Sequence, residues 1–212
     1  MKQITFYFDP ISPYAYLAFE RLPVALQGLD YHVRYCPILF AGLLKHHGQL
    51  GPAEIAPKRD WTYRQVAWIA HEHDIQLDAP ASHPFNPLPL LRMAAACADE
   101  NGFINRFTTQ TVFHHVWHGG ADAADATRLP TLQEQLQHQI KDNDPKEVLR
   151  ANTDKAIAAG VFGVPLLEVD GKHFWGQDAL PMVAGYLRGD AWFGTSAWDD
   201  VAKVGAGVVR TK

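Results

Sequence analysis

The chain has 212 residues, 47% of them hydrophobic and 20% charged, with a formal net charge of −4 at pH 7. That is enough sequence for one sizeable domain, or for a small domain carrying a large insertion. The composition is that of an ordinary soluble globular protein, and its slight acidity gives no reason to expect nucleic acid or an anionic membrane surface as a partner. No apolar run approaches the length needed to span a bilayer. Met1-Lys2-Gln3-Ile4 leads straight into alternating sequence rather than into a basic region followed by an apolar stretch, so a cytoplasmic protein is expected.

Residues 2–9 alternate and predict a strand with one buried face. The strand turns at Asp9-Pro10 and delivers Ser12-Pro13 to an amphipathic helix over 13–28, where Tyr14, Leu17, Ala18, Leu22, Ala25 and Leu26 share a side. Residues 31–36 alternate again as a second strand, which makes a parallel βαβ unit. From residue 38 to 160 no strand pattern appears. Helices are expected over 39–47, 58–73, 88–100, 103–118, 128–140 and 145–159, with Pro52, Pro57, Pro80, Pro84, Pro87, Pro130 and Pro145 at the joins. The β pattern returns over 163–175 as a strand, an Asp170-Gly171 turn and a second strand. Gly176-Gln177-Asp178 then opens a last helix through 187. Residues 190–212, with Trp192, Phe193 and Trp198, show no period and read as a tail packed on the surface or on a partner subunit.

The order βαβ, helices, ββα is that of an α/β thioredoxin-like fold with an all-helical domain inserted in its middle. The thioredoxin-like halves are expected over 1–38 and 161–188, the helical insertion over 39–160 and the tail over 189–212. Three features should converge across this fold. Ser12 sits where the first N–H groups of a helix lack intrahelical partners, which favours an anion there and equally suits a plain serine cap. Val164-Pro165 opens a strand with a residue that has no N–H. Its peptide is a candidate for cis geometry, which would turn the Val164 backbone groups toward a bound peptide; an ordinary trans edge-strand proline is the commoner state and stays the alternative. Gln177-Asp178 at the last helix start can hold an α-amino and an α-carboxylate group together, the plainer alternative being that Asp178 only caps the helix. A peptide-like thiol along this edge would bring its sulfur to Ser12.

Phe6-Tyr7-Phe8-Asp9 followed by Ser12-Pro13-Tyr14-Ala15-Tyr16-Leu17-Ala18 resembles the opening motif of the 2-hydroxychromene-2-carboxylate isomerases and kappa-class glutathione transferases. These belong to the DsbA-like branch of the thioredoxin superfamily. Phe162-Gly163-Val164-Pro165-Leu166 resembles their glutathione-contacting loop, and Phe174-Trp175-Gly176-Gln177-Asp178 their final helix start, so the resemblance covers residues 1–188. It implies glutathione as cofactor, bound by Ser12, Val164, Pro165, Gln177 and Asp178, with Ser12 as the catalytic residue that donates a hydrogen bond to the thiolate. The implied reaction is the glutathione-dependent cis–trans isomerisation of 2-hydroxychromene-2-carboxylate to trans-o-hydroxybenzylidenepyruvate in aromatic hydrocarbon degradation. The small aromatic acid would meet Lys45 and Gln49 after the second strand and Phe85 and Asn86 in the insertion. A homodimer is implied as well. The alternatives are a kappa-type transferase or peroxidase on the same site, and a thioredoxin-fold binding protein without catalysis.

Where a DsbA-type oxidant has Cys-Pro-x-Cys, this chain has Ser12-Pro13-Tyr14-Ala15. Dithiol exchange at this place therefore has no sulfur to use. No histidine lies near Ser12 in the sequence, so its hydroxyl lacks a base and is expected to act as a donor that lowers a thiol pKa from its usual ~8.5. His114 and His118 fall at i, i+4 on one helix, but no third ligand is evident and no metal is expected. Cys36 and Cys97 form neither a C-x-x-C pair nor half a metal site and are expected to be small buried hydrophobes. Trp61, Trp68, Trp117 and Trp175 are expected in the core.

Overall fold

A computed structural model of the chain describes residues 1–205 and 207. The expectation for the tail end beyond them lies outside the described residues. Four strands, β1 (Lys2–Phe8), β2 (Tyr31–Pro37), β3 (Leu166–Val169) and β4 (Lys172–Trp175), form one mixed sheet in the order β2-β1-β3-β4. β1 runs parallel to β2, with Lys2 opposite Tyr31 and Phe8 opposite Pro37, and antiparallel to β3, with Tyr7 opposite Leu166. The two ends of the chain thus share one sheet. Helix α1 (Pro13–Ala25) makes the crossover between β1 and β2. Between β2 and β3 lie α2 (Phe40–His47), α3 (Ala56–Glu72), α4 (Leu88–Ala96), α5 (Arg106–Trp117), α6 (Leu129–Leu136) and α7 (Pro145–Ala158). This is the thioredoxin-like α/β fold with a helical insertion.

β1 is buried on both faces, where the alternation suggested one. Ile4, Phe6 and Phe8 are fully buried among residues of α1, α5 and α8 (Leu180–Leu187), while Tyr7 packs on the other side with Cys36, Leu166 and Ala156. A strand paired along both edges and covered by helices above and below has no solvent face. Val112, Phe113, Val116 and Trp117 of α5 belong to the same core cluster as Phe8, Tyr16 and Phe19, so the inserted helices pack directly on the sheet domain. Helix α1 ends three residues earlier than the periodicity implies, with Pro23, which has no N–H to donate, in its last turn.

The tryptophans divide. Trp117 is 1% exposed, but Trp61, Trp68 and Trp175 are 62%, 61% and 56% exposed. Helix α3 buries Thr62, Val66, Ile69 and Ala70 instead, three of which pack with Leu17 of α1. The last helix also begins later than expected. Gln177–Ala179 form a 3-10 turn before α8, because Pro181 has no N–H to give the Gln177 carbonyl. The tail folds back on its own chain. A 3-10 turn, Ala191–Gly194, leads to α9 (Ser196–Val201), and the Phe193 ring packs 6.0 Å from Phe174 and 5.3 Å from Tyr186.

Candidate active site

Ser12 caps α1. Its Oγ accepts from the Ala15 N–H at 3.2 Å and its hydroxyl points at the Val164 carbonyl oxygen at 3.4 Å. Pro13 occupies the first helical position, where a missing N–H costs nothing. The Val164–Pro165 peptide is cis, the geometry for which the sequence made it a candidate, and so is His83–Pro84, which was not anticipated. Both loops open on one cavity of about 870 Å³, whose wall includes Ser12, Tyr14, Gln49, Trp61, Phe85 and Trp175.

Val164, Pro165, Gln177 and Asp178 also line this cavity, so the sequence-derived cofactor residues come together with Ser12. Gln177 is buried, and its Oε1 accepts from the Arg21 guanidinium of α1, which also reaches the Gln177 carbonyl at 3.5 Å. Arg21 carries no motif and was not legible in the sequence. Gly176 sits at φ +94, and a Cβ there would lie 2.3 Å from Asp178 Oδ1, so only glycine lets the carboxylate fold back over the turn. Gly163 is hemmed in similarly, since a Cβ would lie 2.7 Å from the Trp175 indole nitrogen.

Of the four residues expected to meet substrate, Gln49 and Phe85 are on the cavity wall, and Lys45 and Asn86 are not. Lys45 is exposed near the end of α2, because the face of that helix turned inward carries Leu43 and Leu44. Asn86 accepts from the Leu88 N–H at 3.1 Å and so starts α4. Lys58, in the first turn of α3, is the cation on the wall among the described residues.

Three residues before Ser12 lies Asp9, fully buried, its carboxylate oxygens accepting from Ile11 N–H at 3.0 Å and Phe40 N–H at 2.9 Å. Burial pushes its pKa up to about 7, against the two backbone bonds that pull it down. The group ties the Ser12 loop to the start of α2. A histidine is close to Ser12 after all. His83 lines the cavity, and its Nε2 lies 2.7 Å from the Ile11 carbonyl oxygen. Neither the Asp9–Phe40 nor the His83–Ile11 contact has a sequence signal, since they join residues 31 and 72 positions apart.

The histidine pair on α5 is stacked, with His114 and His118 ring centroids 3.9 Å apart. His114 Nε2 faces Glu20 Oε1 at 3.1 Å and His118 Nε2 faces the Tyr16 hydroxyl at 2.9 Å. Burial and the neighbouring His114 hold the His118 pKa below its ordinary value. Among the described residues, no three His, Cys, Asp or Glu side chains are grouped as a metal site requires.

The family model described as a DSBA-like thioredoxin domain matches residues 3–188. The chain belongs to the DsbA-like thioredoxin family. It is similar to a 2-hydroxychromene-2-carboxylate isomerase of Sphingobium xenophagum, 29% identical over 195 residues that cover 88% of this chain and 98% of the relative. It also resembles the glutathione S-transferase kappa 1 of Rattus norvegicus, 24% identical over 212 residues, with 91% and 93% covered. In structure it matches a 2-hydroxychromene-2-carboxylate isomerase with a TM-score of 0.72 at 24% identity, covering 96% of this chain and all of the other.

Proposed function

We propose that the chain is a glutathione-dependent isomerase that converts 2-hydroxychromene-2-carboxylate to trans-o-hydroxybenzylidenepyruvate. The observation that carries this reading is Ser12. A hydroxyl, with no cysteine in the motif, caps a helix on the wall of a cavity bordered also by Val164, cis-Pro165 and the Gln177-Asp178 turn. The residues present suit glutathione. Val164 N–H has no hydrogen-bond partner among the described residues, and the Gln177 amide nitrogen and the Asp178 carboxylate stand on the same wall. These are the donor, amide and acid that an extended peptide with a free α-amino group would use.

Bound there, glutathione would supply a thiolate for reversible addition to the substrate double bond, which permits rotation before elimination. Ser12 holds that charge by donating its hydroxyl proton as a hydrogen bond, helped by the N–H groups at the start of α1. Its proton is not removed, since no base among the described residues touches it. The aromatic part of the substrate would lie among Phe85, Phe40 and Trp61, with Gln49 and Lys58 toward its carboxylate, Lys58 taking the place first given to Lys45. We place the boundaries of the helical insertion at 39–160 and read the protein as a cytoplasmic homodimer, which light scattering at micromolar concentration would check. Among the described residues no helix is long and apolar enough to cross a membrane.

A kappa-type transferase is the second reading, favoured by the relatives of that name at 22–25% identity. Ultraviolet absorbance of 2-hydroxychromene-2-carboxylate with and without glutathione separates the two. Isomerisation that needs glutathione but leaves its concentration constant supports the isomerase. Stoichiometric loss of free thiol supports the transferase. Observing neither glutathione-dependent isomerisation nor loss of free thiol overturns both readings.

A further inference from the structure

The loop that carries Ser12 is satisfied group by group. From Pro10 to Ser12 every main-chain N–H and carbonyl has a partner, as buried backbone requires. Ile11 N–H donates to Asp9 Oδ1, Ser12 N–H to the Asp9 carbonyl at 3.0 Å, and the Ser12 carbonyl accepts from Ala15 and Tyr16. The remaining two carbonyls are held from the helical insertion, one from α5 and one from the loop between α3 and α4. Trp117 Nε1–H donates to Pro10 O at 3.0 Å, and His83 reaches Ile11 O at 2.7 Å.

We infer that His83 is a positioning residue for Ser12, fixing the Ile11 carbonyl and with it the direction of the hydroxyl that faces the cavity. A carbonyl can only accept, so Nε2 carries the proton, and Nδ1 accepts from the Tyr63 hydroxyl at 2.6 Å. The ring is also packed, 5.9 Å from Phe85 and 5.8 Å from Trp117 between centroids. Burial holds its pKa below the ordinary histidine value, in keeping with a neutral ring that has both nitrogens engaged. Removing the donor would leave a partly buried acceptor unpaired one residue before Ser12. It would also free a negative carbonyl end beside the place where an anion is to be held. Both changes weaken anion stabilisation at position 12.

This inference rests on the reading of Ser12 as the thiolate's partner, but its test needs no glutathione. Ser12→Cys puts a titratable thiol at the start of α1, and its pKa is read from the pH dependence of alkylation by iodoacetamide, resolved by peptide mass. Adding His83→Phe, which keeps a ring in the packing and deletes the donor, is expected to raise that pKa by about one unit, a roughly tenfold smaller thiolate fraction below the pKa. Adding His83→Gln instead, whose amide N–H has similar reach, is expected to restore most of it. An unchanged thiol pKa in a folded His83→Phe protein overturns the assignment. Should that variant not fold, nitrogen NMR of the otherwise unaltered protein decides. Nε2 protonated and Nδ1 bare near neutral pH is the expected state, and the opposite tautomer or a freely titrating ring overturns it. A shift in the introduced thiol with no glutathione binding to the native protein would reject the proposed function and leave the role of His83 standing.

Discussion

The Ser12 hydroxyl lies 3.4 Å from the carbonyl oxygen of Val164, a residue 152 positions later in the chain. Without a ligand that long hydrogen bond gives the hydroxyl a partner, and the same proton is available to a sulfur lying between the two loops. One element supplies the cap, the other the cis-proline turn, and the β1–β3 pairing brings them together.

Ser12→Ala should cost about 1 kcal/mol of stability or less, the usual loss of a serine cap. Turnover should fall far more, on the order of 10²-fold, as when one preorganised donor to an anion is removed. Glutathione affinity should change little if Val164, Gln177 and Asp178 carry most contacts. Steady-state kinetics with a titration of the bound thiol checks this. Full activity with an unchanged thiol pKa would reduce Ser12 to a cap.

Gly176→Ala should disturb the site more than the strain alone explains. The residue is at φ +94, and a Cβ would collide with the Asp178 carboxylate. Gly171→Ala is the control, since Gly171 has φ +76 but no atom of the described residues within 4 Å of where a Cβ would stand. Each should lose about 1–2 kcal/mol in thermal unfolding. Only Gly176→Ala should weaken glutathione binding, measured by calorimetry.

Asp9 sets a pH dependence of stability. Its pKa in the folded chain is raised from 3.8 to about 7. Between those values the folded protein keeps a proton that the unfolded chain has released, so stability falls as pH rises through that window. Asp9→Asn should flatten the slope, at the loss of one backbone bond, because its amide NH₂ cannot accept. Urea unfolding at about pH 4.5 and about pH 7.5 compares the two proteins, and an equal slope in both would place the pH dependence elsewhere.

Cys36 and Cys97 should be inert in the native protein. Both are buried, and burial pushes the Cys36 thiol up to about 12 and Cys97 upward as well. Neither should react with a chromogenic disulfide at neutral pH until denaturant is added, when both should react. Rapid native reaction at either would show that the cover over that thiol opens readily.

Local pattern carried much of this protein. The Ser12-Pro13 helix start, the Asp170-Gly171 hairpin and the Val164-Pro165 strand opening are each set by residues adjacent in the chain, whose backbone preferences act whatever surrounds them. The order of strands and helices then implied the sheet. What periodicity does not carry is which side of a helix with apolar residues all round meets the core. Trp61 and Trp68 stayed outside because the smaller face of α3 packs closer to α1. Lys45 and Lys58 are alike as residues, and only the direction of α2 and α3 decides that Lys58 borders the cavity. The contacts of Arg21 with Gln177, and of His83 and Trp117 with the Ser12 loop, join segments about 70 to 160 positions apart. No local preference specifies such pairs. They exist because burying the loop backbone leaves carbonyls that need donors, and the tertiary fold brings α1, α5 and the loop before α4 within reach.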